Sequence, residues 1–343
     1  MALQASGQIK YSEIIAEFGT PNSGGIGEYR LDGGEDVGSL TDLPLDVGVP
    51  VTGQIKFSDF YSKKLNHVVD LHSIGNSTTR QNAKDRWNNG NVHIVGSTKT
   101  GKTQPPDTID DRVIINVNAT IASAKGTQTH CALRTGTWDS NTTLEIEIGT
   151  SGKLYGSGGN GGSGGNANET AGTDGQTGSS ALGIQYPCSV NNLGVIQSGY
   201  GGGGGGGGNT RTTGGGKKSG ATTNGSSGGG GGGGAGLPAG SAGGVSTPLS
   251  VGGGSAGSAG QAGSLSGQAT GGAGGSEAGA GGDSSPVNNS ATKADNGTSP
   301  SGAAAGGTGG NNGYAIITNQ GSAPSLSGGG TLTGRTITST NPT

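Results

Sequence analysis

The chain has 343 residues, of which 81 are glycine, 27% are hydrophobic and 3% are aromatic. An average globular domain has about 7% glycine and about 45–50% apolar residues, so one conventional hydrophobic core cannot extend through this chain. The formal net charge of −3, with 12% charged residues, argues against nucleic acid as a main partner and against a chain swollen by its own charge.

The apolar runs and the cysteines further limit the class of protein that this sequence can encode. No run of 18 apolar residues is present, and "MALQASGQIKYSE" at the start has no basic region followed by an apolar one. We therefore expect neither a membrane span nor a signal peptide. Cys131 and Cys188 form neither a disulfide framework nor a metal-binding pattern, so they are predicted to be two reduced thiols.

The N-terminal part of the chain contains a repeated unit. The stretch "SGQIKYSEIIAEFG" at 6–19 matches "TGQIKFSDFYSKK" at 52–64. Each copy predicts a glycine turn, a short strand and a helical turn. In the first copy, Ser12 is predicted to cap a helix whose apolar stripe includes Ile14 and Phe18.

The repeated unit is too short to bury its own apolar face. We therefore expect it to dock onto another copy of itself or onto another chain. The residues predicted to form this docking surface are Ile9, Tyr11, Ile14, Phe18, Ile55, Phe57 and Phe60.

A small β domain is predicted over residues 65–155. The stretches "RVIINVNATIAS" and "TTLEIEIGTSGKLYG" alternate with a period of two and are rich in Val, Ile and Thr. "CALRTGTW" predicts a further strand, and glycine and asparagine separate these segments.

Two sets of side chains in this β domain are candidate chemical sites. Glu145 and Glu147 share one strand face, as a pair of hydrolytic carboxylates would. Their alternation with Leu and Ile favours an ordinary solvent-facing surface instead. His67, Asp70 and His72 match no strong metal-ligand spacing, so surface polar residues are the favoured interpretation.

A phosphate-loop pattern is also present. Residues 96–103 read G-x-x-x-x-G-K-T, but such a loop must open a helix, and Pro105 and Pro106 follow it directly. A polar turn between two strands is the favoured interpretation. Because H-E-x-x-H is also absent from the sequence, we predict no enzymatic activity, no cofactor and no metal site.

The most unusual part of the sequence is residues 156–313. "GSGGNGGSGGN" has a period of three with two glycines in each period, and near-pure glycine runs follow at 200–209 and 227–236. A polyproline II helix has three residues per turn, so x-G-G leaves two bare edges that can pack backbone to backbone. The pattern predicts a bundle of polyglycine II helices. A flexible tether is the alternative, because glycine loses the most backbone entropy on folding.

Taken together, these motifs resemble those of bacteriophage tail proteins. "SGQIKYSEIIAEFG" and "VPVTGQIKFSDFYSKK" resemble a paired motif of tail and fibre proteins, and "LYGSGGNGGSGGN" with "GGTGGNNGYAIITN" resembles the glycine-rich region of tail-fibre adhesins. The resemblance implies an N-terminal attachment part and a C-terminal polyglycine II bundle whose tip loops bind a host receptor. The paired motif is typical of other phage structural proteins and leaves the mode of attachment open.

The resemblance directs attention to the segments between the glycine blocks. Tyr186 and Tyr200 offer flat amphipathic surfaces that suit sugars or outer-membrane protein loops. Arg211, Lys217 and Lys218 form a basic cluster that suits lipopolysaccharide phosphates. The alternative is that the tyrosines cap helix ends and the cations keep a neutral array soluble.

The predicted fold is mostly β and irregular, and the predicted function is recognition of a host surface receptor by a tail-fibre or tail-tip protein during adsorption. We expect a virion location, assembly in the host cytoplasm, and other tail or fibre proteins and a host glycan or outer-membrane protein as partners, with a homo-oligomer possible. Alternatives are a purely structural virion component, an ice-binding polyglycine protein and a matrix protein with an unfolded glycine region. The predicted domains are residues 1–64 (docking repeat), 65–155 (β domain), 156–313 (polyglycine II array) and 314–343 (C-terminal strand and tail).

Overall fold

The computed structural model describes a mostly β chain with two short α-helices. Described are residues 3–18, 20–21, 26, 54–63, 67–71, 79–88, 99–100, 112–140, 142–166, 171–205, 209–213, 222–226, 230–244, 272–273, 282–283, 306–319, 324–338, 340 and 342–343.

The two repeated units begin in the same way but form different helices. The first contains helix α1, Tyr11–Phe18, and the second a 3-10 helix, Phe57–Phe60. In each, the acidic side chain three residues on accepts a hydrogen bond from the N–H of the lysine before the helix: Lys10 to Glu13 and Lys56 to Asp59, both 2.7 Å. The predicted Ser12 cap is therefore wrong, because Ser12 lies inside the first turn and Glu13 supplies the capping acceptor.

The two units pack against each other and form an N-terminal module. Ile9, Ile14, Ile55 and Phe60 make a shared buried core. The rings of Tyr11 and Phe57 meet edge to face, with centroids 6.4 Å apart. Each copy thus covers the apolar face that the other cannot bury alone.

Three parallel sheets form the centre of the molecule, and the chain visits them in a fixed rotation. Parallel strands stacked in this way make a β-helix. Sheet 1 consists of β2 (His67–Asp70), β5 (Arg112–Val117), β8 (Thr143–Ile148), β11 (Cys188–Asn192) and β18 (Ser325–Ser327). Sheet 2 consists of β6 (Thr120–Ala122), β9 (Lys153–Tyr155), β12 (Val195–Gln197) and β19 (Thr331–Thr333). Sheet 3 consists of β3 (Gln81–Asn82), β7 (Cys131–Arg134), β10 (Ser180–Ile184), β17 (Tyr314–Thr318) and β20 (Arg335–Ile337).

The remaining elements are short. Helix α2, Ala83–Asn88, follows β3. Three antiparallel pairs complete the strands. They are β1 (Thr20–Pro21) with β4 (Lys99–Thr100), β13 (Asn209–Thr213) with β14 (Thr222–Ser226), and β15 (Gly272–Ala273) with β16 (Gly282–Asp283).

Apolar side chains stack in register through the β-helix. In sheet 1, Ile115, Ile146, Val190 and Leu326 are successive partners. Equivalent stacks run through sheet 2 and sheet 3 and meet in one hydrophobic core. The strands predicted at "RVIINVNATIAS", "CALRTGTW" and "TTLEIEIGTSGKLYG" are confirmed as β5 to β9, and the predicted C-terminal strand is confirmed as β17. The same sheets also include β10, β11 and β12, which come from inside the glycine-rich part of the sequence.

All glycine-rich excursions leave the β-helix at one corner, between sheet 2 and sheet 3. One excursion separates β9 from β10, and a longer one separates β12 from β17. Between β19 and β20, the same corner consists of Gly334 alone. Gly334 has a φ of +116°, a conformation that glycine adopts without steric cost.

The described parts of the excursions contain six extended glycine segments, which together we call the glycine array. Segments 1, 3 and 5 run away from the β-helix, and segments 2, 4 and 6 return to it. In chain order they are residues 156–166, 171–179, 198–205, 230–237, 238–244 and 306–313.

The segments bond to one another through the backbone, once every three residues. Gly159 and Gly162 of segment 1 donate N–H bonds of 2.8 Å to the carbonyls of Tyr200 and Gly203 in segment 3. Segment 1 bonds in this way to segments 2, 3, 4 and 5, and segment 3 bonds to segments 1, 2, 4 and 6. The described segments therefore form two rows, 5-1-2 and 4-3-6.

Close packing in the array depends on the absence of side chains. A Cβ atom at Gly158 would lie 1.9 Å from the carbonyl oxygen of Gly234, and one at Gly159 would lie 1.9 Å from that of Gln176. These two glycines are neighbours in the x-G-G period and face different segments. Two edges of segment 1 are thus closed to any side chain, while Asn160 and Ser163 occupy the third.

Candidate functional site

The far end of the glycine array, opposite the β-helix, is the first candidate site. In the sequence, residues 167–170, 206–229 and 245–305 lie between its outgoing and returning segments. The antiparallel pair β13–β14 belongs to the second of these connections. It continues the antiparallel register of segments 3 and 4, in which Gly203 bonds to Gly232.

The hairpin has the same pairing register as segments 3 and 4. Asn209 pairs with Ser226, and Arg211 pairs with Asn224 at the centre of the hairpin. The two strands read "NTRTT" and "TTNGS", so threonine replaces glycine where the array ends. Threonine favours strand geometry because of its β-branch.

The basic residues predicted for receptor binding belong to this end. Arg211 is the middle residue of β13, while Lys217 and Lys218 lie outside the described residues. The sequence from 209 to 226 contains these three cations and no acidic residue, in a chain whose net charge is −3.

The two predicted tyrosines lie near the β-helix instead. Tyr200 begins segment 3, is 7% exposed and packs on Ala235. Burial raises the pKa of its phenol above the usual value. Tyr186 follows β10, packs against the β-helix core and donates to the carbonyls of Asp139 (2.7 Å) and Thr142 (2.9 Å). The structure therefore does not bring the tyrosines together with Arg211.

At the base of the array, polar side chains join the segments to one another and to the β-helix. The buried hydroxyls of Ser157 and Ser179 lie 3.0 Å apart and join segments 1 and 2. Asn160 accepts hydrogen bonds from the Lys125 ammonium at 2.8 Å and from the Ser241 N–H at 2.9 Å. Desolvation lowers the pKa of Lys125. None of these contacts was predictable from the x-G-G pattern.

The last turn of the β-helix is the second candidate site. Strands β18, β19 and β20 each end a sheet, so their outer edges have no partner strand within the described residues. Leu326 and Leu332 continue the core stacks but are 48% and 43% exposed. They border an open cavity of about 160 Å³. An uncovered apolar patch on strand edges is typical of an interaction surface.

The predicted docking residues of the N-terminal module are mostly buried within it. Ile14 and Phe60 are fully buried, and Ile9 and Ile55 are 8% exposed. Phe57 is 44% exposed beside the half-buried Tyr11, and Phe18 is the last residue of α1. Among the members of this set whose burial is described, Phe57 is exposed and Tyr11 is half-buried beside it.

The carboxylates considered for hydrolysis lie on one strand, and the residues considered for metal binding are only partly described. Glu145 and Glu147 alternate with buried Leu144 and Ile146 along β8, as the solvent-face interpretation predicted. His67 and Asp70 are the two ends of β2, and His72 lies outside the described residues. The described residues contain no cluster of His, Cys, Asp and Glu that could hold a metal ion.

The cysteines and the phosphate-loop pattern are the remaining residues for which the sequence raised chemical roles. Cys131 and Cys188 are free thiols, and burial raises the pKa of each to about 12. The phosphate-loop pattern lies outside the described residues except for Lys99–Thr100, which pairs with Thr20–Pro21. No helix among the described residues is long and apolar enough to cross a bilayer.

Comparison with known families decides between the functional classes. The profile of the phage tail fibre adhesin Gp38 family matches residues 82–337, about three quarters of the chain. The chain belongs to this family. The adhesin is thus a bacteriophage tail-fibre protein involved in host recognition, and its family indicates a structural role in the virion. The matched residues include most of the β-helix and the whole glycine array, and begin after the N-terminal module. No curated protein and no solved structure matches the adhesin.

Proposed function

We propose that the glycine array is a bundle of polyglycine II helices that presents the far-end connections of the adhesin to a host receptor. The observation that carries the proposal is the interval of the backbone bonds. Gly199, Gly202 and, one period later, Gly205 each donate to segment 2 at 2.8–2.9 Å. A polyproline II helix returns to the same edge every three residues, and glycine alone allows two bare edges.

Rigidity is what this arrangement contributes to binding. Loops held on a rigid scaffold lose less freedom when a partner binds than loops on a flexible tether. Of the predicted receptor residues, Arg211, Lys217 and Lys218 remain in the proposal because they belong to the far-end connections. For Tyr200, burial at the base of segment 3 supports the alternative in which it caps the array. The bonds from Tyr186 to the carbonyls of Asp139 and Thr142 support a packing role for it too.

The open end of the β-helix is the surface that we propose for attachment to the fibre. Three strand edges and two exposed leucines face outward there, which suits a β-structured partner that adds a further turn. Outward-facing Tyr11 and Phe57 of the N-terminal module supply a second contact with a virion protein. In this arrangement, the predicted docking repeat, β domain and tail serve attachment near the β-helix. The predicted array serves recognition at its far end.

The mechanism is passive binding, without catalysis. Family membership favours receptor recognition over a purely structural part, an ice-binding protein or an unfolded matrix protein. The receptor is a host glycan or an outer-membrane protein, and assembly takes place in the host cytoplasm before the adhesin joins the fibre.

Exchange of the far-end sequences tests this function. Residues 209–227 and 283–300 are replaced by the corresponding connections of an adhesin with another host range, and adsorption to both hosts is measured. We expect host specificity to follow the exchanged connections, because recognition is confined to them. Unchanged specificity after both exchanges would contradict the proposal. Replacing Leu326 and Leu332 by Asp is the matched control, since it should abolish incorporation into fibres but leave binding of the isolated adhesin to cells intact.

A further inference from the structure

The cavity at the last turn of the β-helix arises from a change of residue size along one interior column. Val117 and Ile148 are partners in this column and are fully buried in the hydrophobic core. Asn192 succeeds Ile148, and Gly328 follows in the last turn. A Cβ on Gly328 would lie 2.2 Å from the carbonyl oxygen of Asn192, and its φ is +90°, so glycine is required there. The column of apolar side chains therefore ends below a cavity of about 160 Å³.

The walls of this cavity suit an apolar group. Ile196, from the preceding turn, is fully buried, whereas Leu326 and Leu332 are 48% and 43% exposed at the rim. The side chain of Asn192 accepts a backbone N–H and donates to a backbone carbonyl, both at 3.1 Å. An apolar group can therefore enter without leaving the Asn192 amide unpaired.

We propose that the cavity receives one large apolar side chain, of leucine to phenylalanine size, from the fibre protein to which the adhesin attaches. This inference rests on the proposed attachment surface and names the residue chemistry that holds the partner there. An apolar cavity of about 150 Å³ admits a molecule as large as benzene. One aliphatic or aromatic side chain therefore matches the volume at the last turn.

The core stack below the last turn indicates what covers it. Ile115, Ile146 and Val190 are successive partners and are each fully buried, because every turn covers the side chain of its neighbour. Leu326 is the next member of this stack but is half exposed. A partner that places an apolar side chain between Leu326 and Leu332 repeats the packing that the β-helix uses between its own turns. A desolvated anchor of this kind supplies much of the affinity of an interface.

Charge indicates that the occupant belongs to a different protein and not to a second copy of the adhesin. Arg335 is exposed and lies over the ring of Tyr314, 5.0 Å from its centroid. It is the one charged residue in the sequence from 306 to 343. Two copies joined through their last turns would bring two cations together without a carboxylate. A fibre protein with Asp or Glu close to its apolar anchor would instead pair with Arg335.

Filling the cavity from the side of the adhesin tests this inference. Leu332→Trp puts a larger ring at the rim, whereas Leu193→Trp makes the same change at a leucine that is 42% exposed and does not border the cavity. Purified full-length adhesin is added to virions of its phage assembled without it, and the bound fraction is measured by sedimentation over a range of adhesin concentrations. We expect Leu332→Trp to bind about tenfold more weakly or worse, because the anchor is excluded, and Leu193→Trp to bind within about twofold of wild type.

Further variants separate binding from folding and test the predicted carboxylate. Leu326→Trp fills the cavity from the neighbouring strand and replaces Leu332→Trp if thermal unfolding shows that the latter is destabilised. Arg335→Gln should weaken binding about threefold, and less so at high salt, whereas Arg335→Lys should keep the salt dependence of the wild type.

Cross-linking identifies the occupant directly. A photoreactive leucine analogue is incorporated into the adhesin, and the adducts formed on virions are mapped by mass spectrometry. We expect positions 326 and 332 to link to a large apolar residue of a fibre protein that has Asp or Glu nearby in its sequence. A link to a polar, glycine-rich stretch of that protein would contradict an apolar anchor.

The remaining outcomes distinguish this inference from the proposed function. Wild-type binding of both tryptophan variants, with loss of binding when Leu326 and Leu332 are replaced by Asp, would exclude the cavity but leave the attachment surface intact. Wild-type binding of the Asp variant as well would contradict the attachment surface itself. A wild-type adhesin that sediments as a dimer, together with a monomeric Leu332→Trp variant, would mean that a second copy occupies the cavity.

Discussion

The β-helix and the glycine array hold extended chain together by opposite means. In the β-helix, strands lie side by side in sheets, and Ile115, Ile146 and their neighbours fill the space between the sheets. In the array, each segment bonds to neighbours on several sides, and no side chains separate them. The comparison shows that a chain with few apolar residues can still be close-packed if its backbone groups bond in more than one direction.

The β-helix and the array are each sensitive to a different kind of substitution. The β-helix tolerates polar outward positions but not the loss of core volume. The array tolerates any side chain on its third edge but no Cβ on the other two. Substitutions in the two regions should therefore differ in how strongly they destabilise the protein.

Gly159→Ala should disrupt the array most strongly. Its new Cβ would lie 1.9 Å from the Gln176 carbonyl oxygen, and backbone on both sides cannot move away separately. We expect destabilisation of about 3 kcal/mol or more and loss of amide protection in segments 1, 2 and 3, measured by hydrogen exchange. Gly244→Ala is the matched control, because the nearest atom to its Cβ is Ser163 Oγ at 4.0 Å. Equal protection in both variants would contradict the packing of the array.

Ile146→Ala should destabilise the β-helix by about 2–4 kcal/mol, because it empties a fully buried position. Leu326→Ala, in the same stack but 48% exposed, should cost less than about 1 kcal/mol. Urea unfolding of the isolated adhesin measures both. Similar losses would mean that the last turn is covered in the free protein, against the proposed attachment surface.

Thiol reactivity shows whether the two regions unfold together. Burial raises the pKa of Cys131 and Cys188 from 9.0 to about 12, so a thiol reagent at pH 8 should not label the folded adhesin. Labelling of Gly159→Ala should be equally slow, because the array leaves and rejoins the β-helix at one corner. Rapid labelling of that variant would mean that the β-helix needs the array. A raised thiol pKa also predicts that stability falls as the pH rises above 9.

The smallest effect is expected at an exposed tie between segments 2 and 6. Asp174 accepts bonds from the N–H (2.6 Å) and hydroxyl (2.7 Å) of Thr308, and the hydroxyl bond contributes most to lowering its pKa. This contribution to stability is present above the unfolded pKa of 3.8 and is lost as the pH falls through the lower folded value. Asp174→Asn should therefore lower the melting temperature slightly at pH 7 and not at pH 2. An equal change at both pH values would show that charge plays no part.

Local pattern in the sequence predicted elements better than it predicted neighbours. A period of two identified β5 and β8, and a continuous apolar run identified β17. It missed β10, "SALGI", in which serine and Gly183 interrupt the pattern inside glycine-rich surroundings. Parallel order could not be predicted at all, because a strand pattern contains no information on which strand lies beside it.

In the candidate sites too, the sequence predicted individual residues better than it predicted which residues lie together. The repeat predicted docking onto another copy or onto another chain, and the fold packs the two copies against each other. The cap was predicted at Ser12, but the Glu13 carboxylate is the acceptor because it reaches the N–H of Lys10. Arg211 was identified from charge alone, whereas the hairpin on which it lies depends on the register between segments 3 and 4. Leu326 and Leu332 resemble ordinary surface residues until the stacking of the turns places them at an open end.

The single corner at which glycine excursions join the β-helix has a consequence for evolution. Each excursion leaves from sheet 2 and returns to sheet 3 at adjacent points, so its length does not alter the pairing of the strands below. Even a corner of one residue, Gly334, keeps the same rotation. Insertions and deletions at the far end can therefore accumulate without cost to the scaffold, and a lineage under pressure from a changing host can vary its contact sequences while it inherits the same frame.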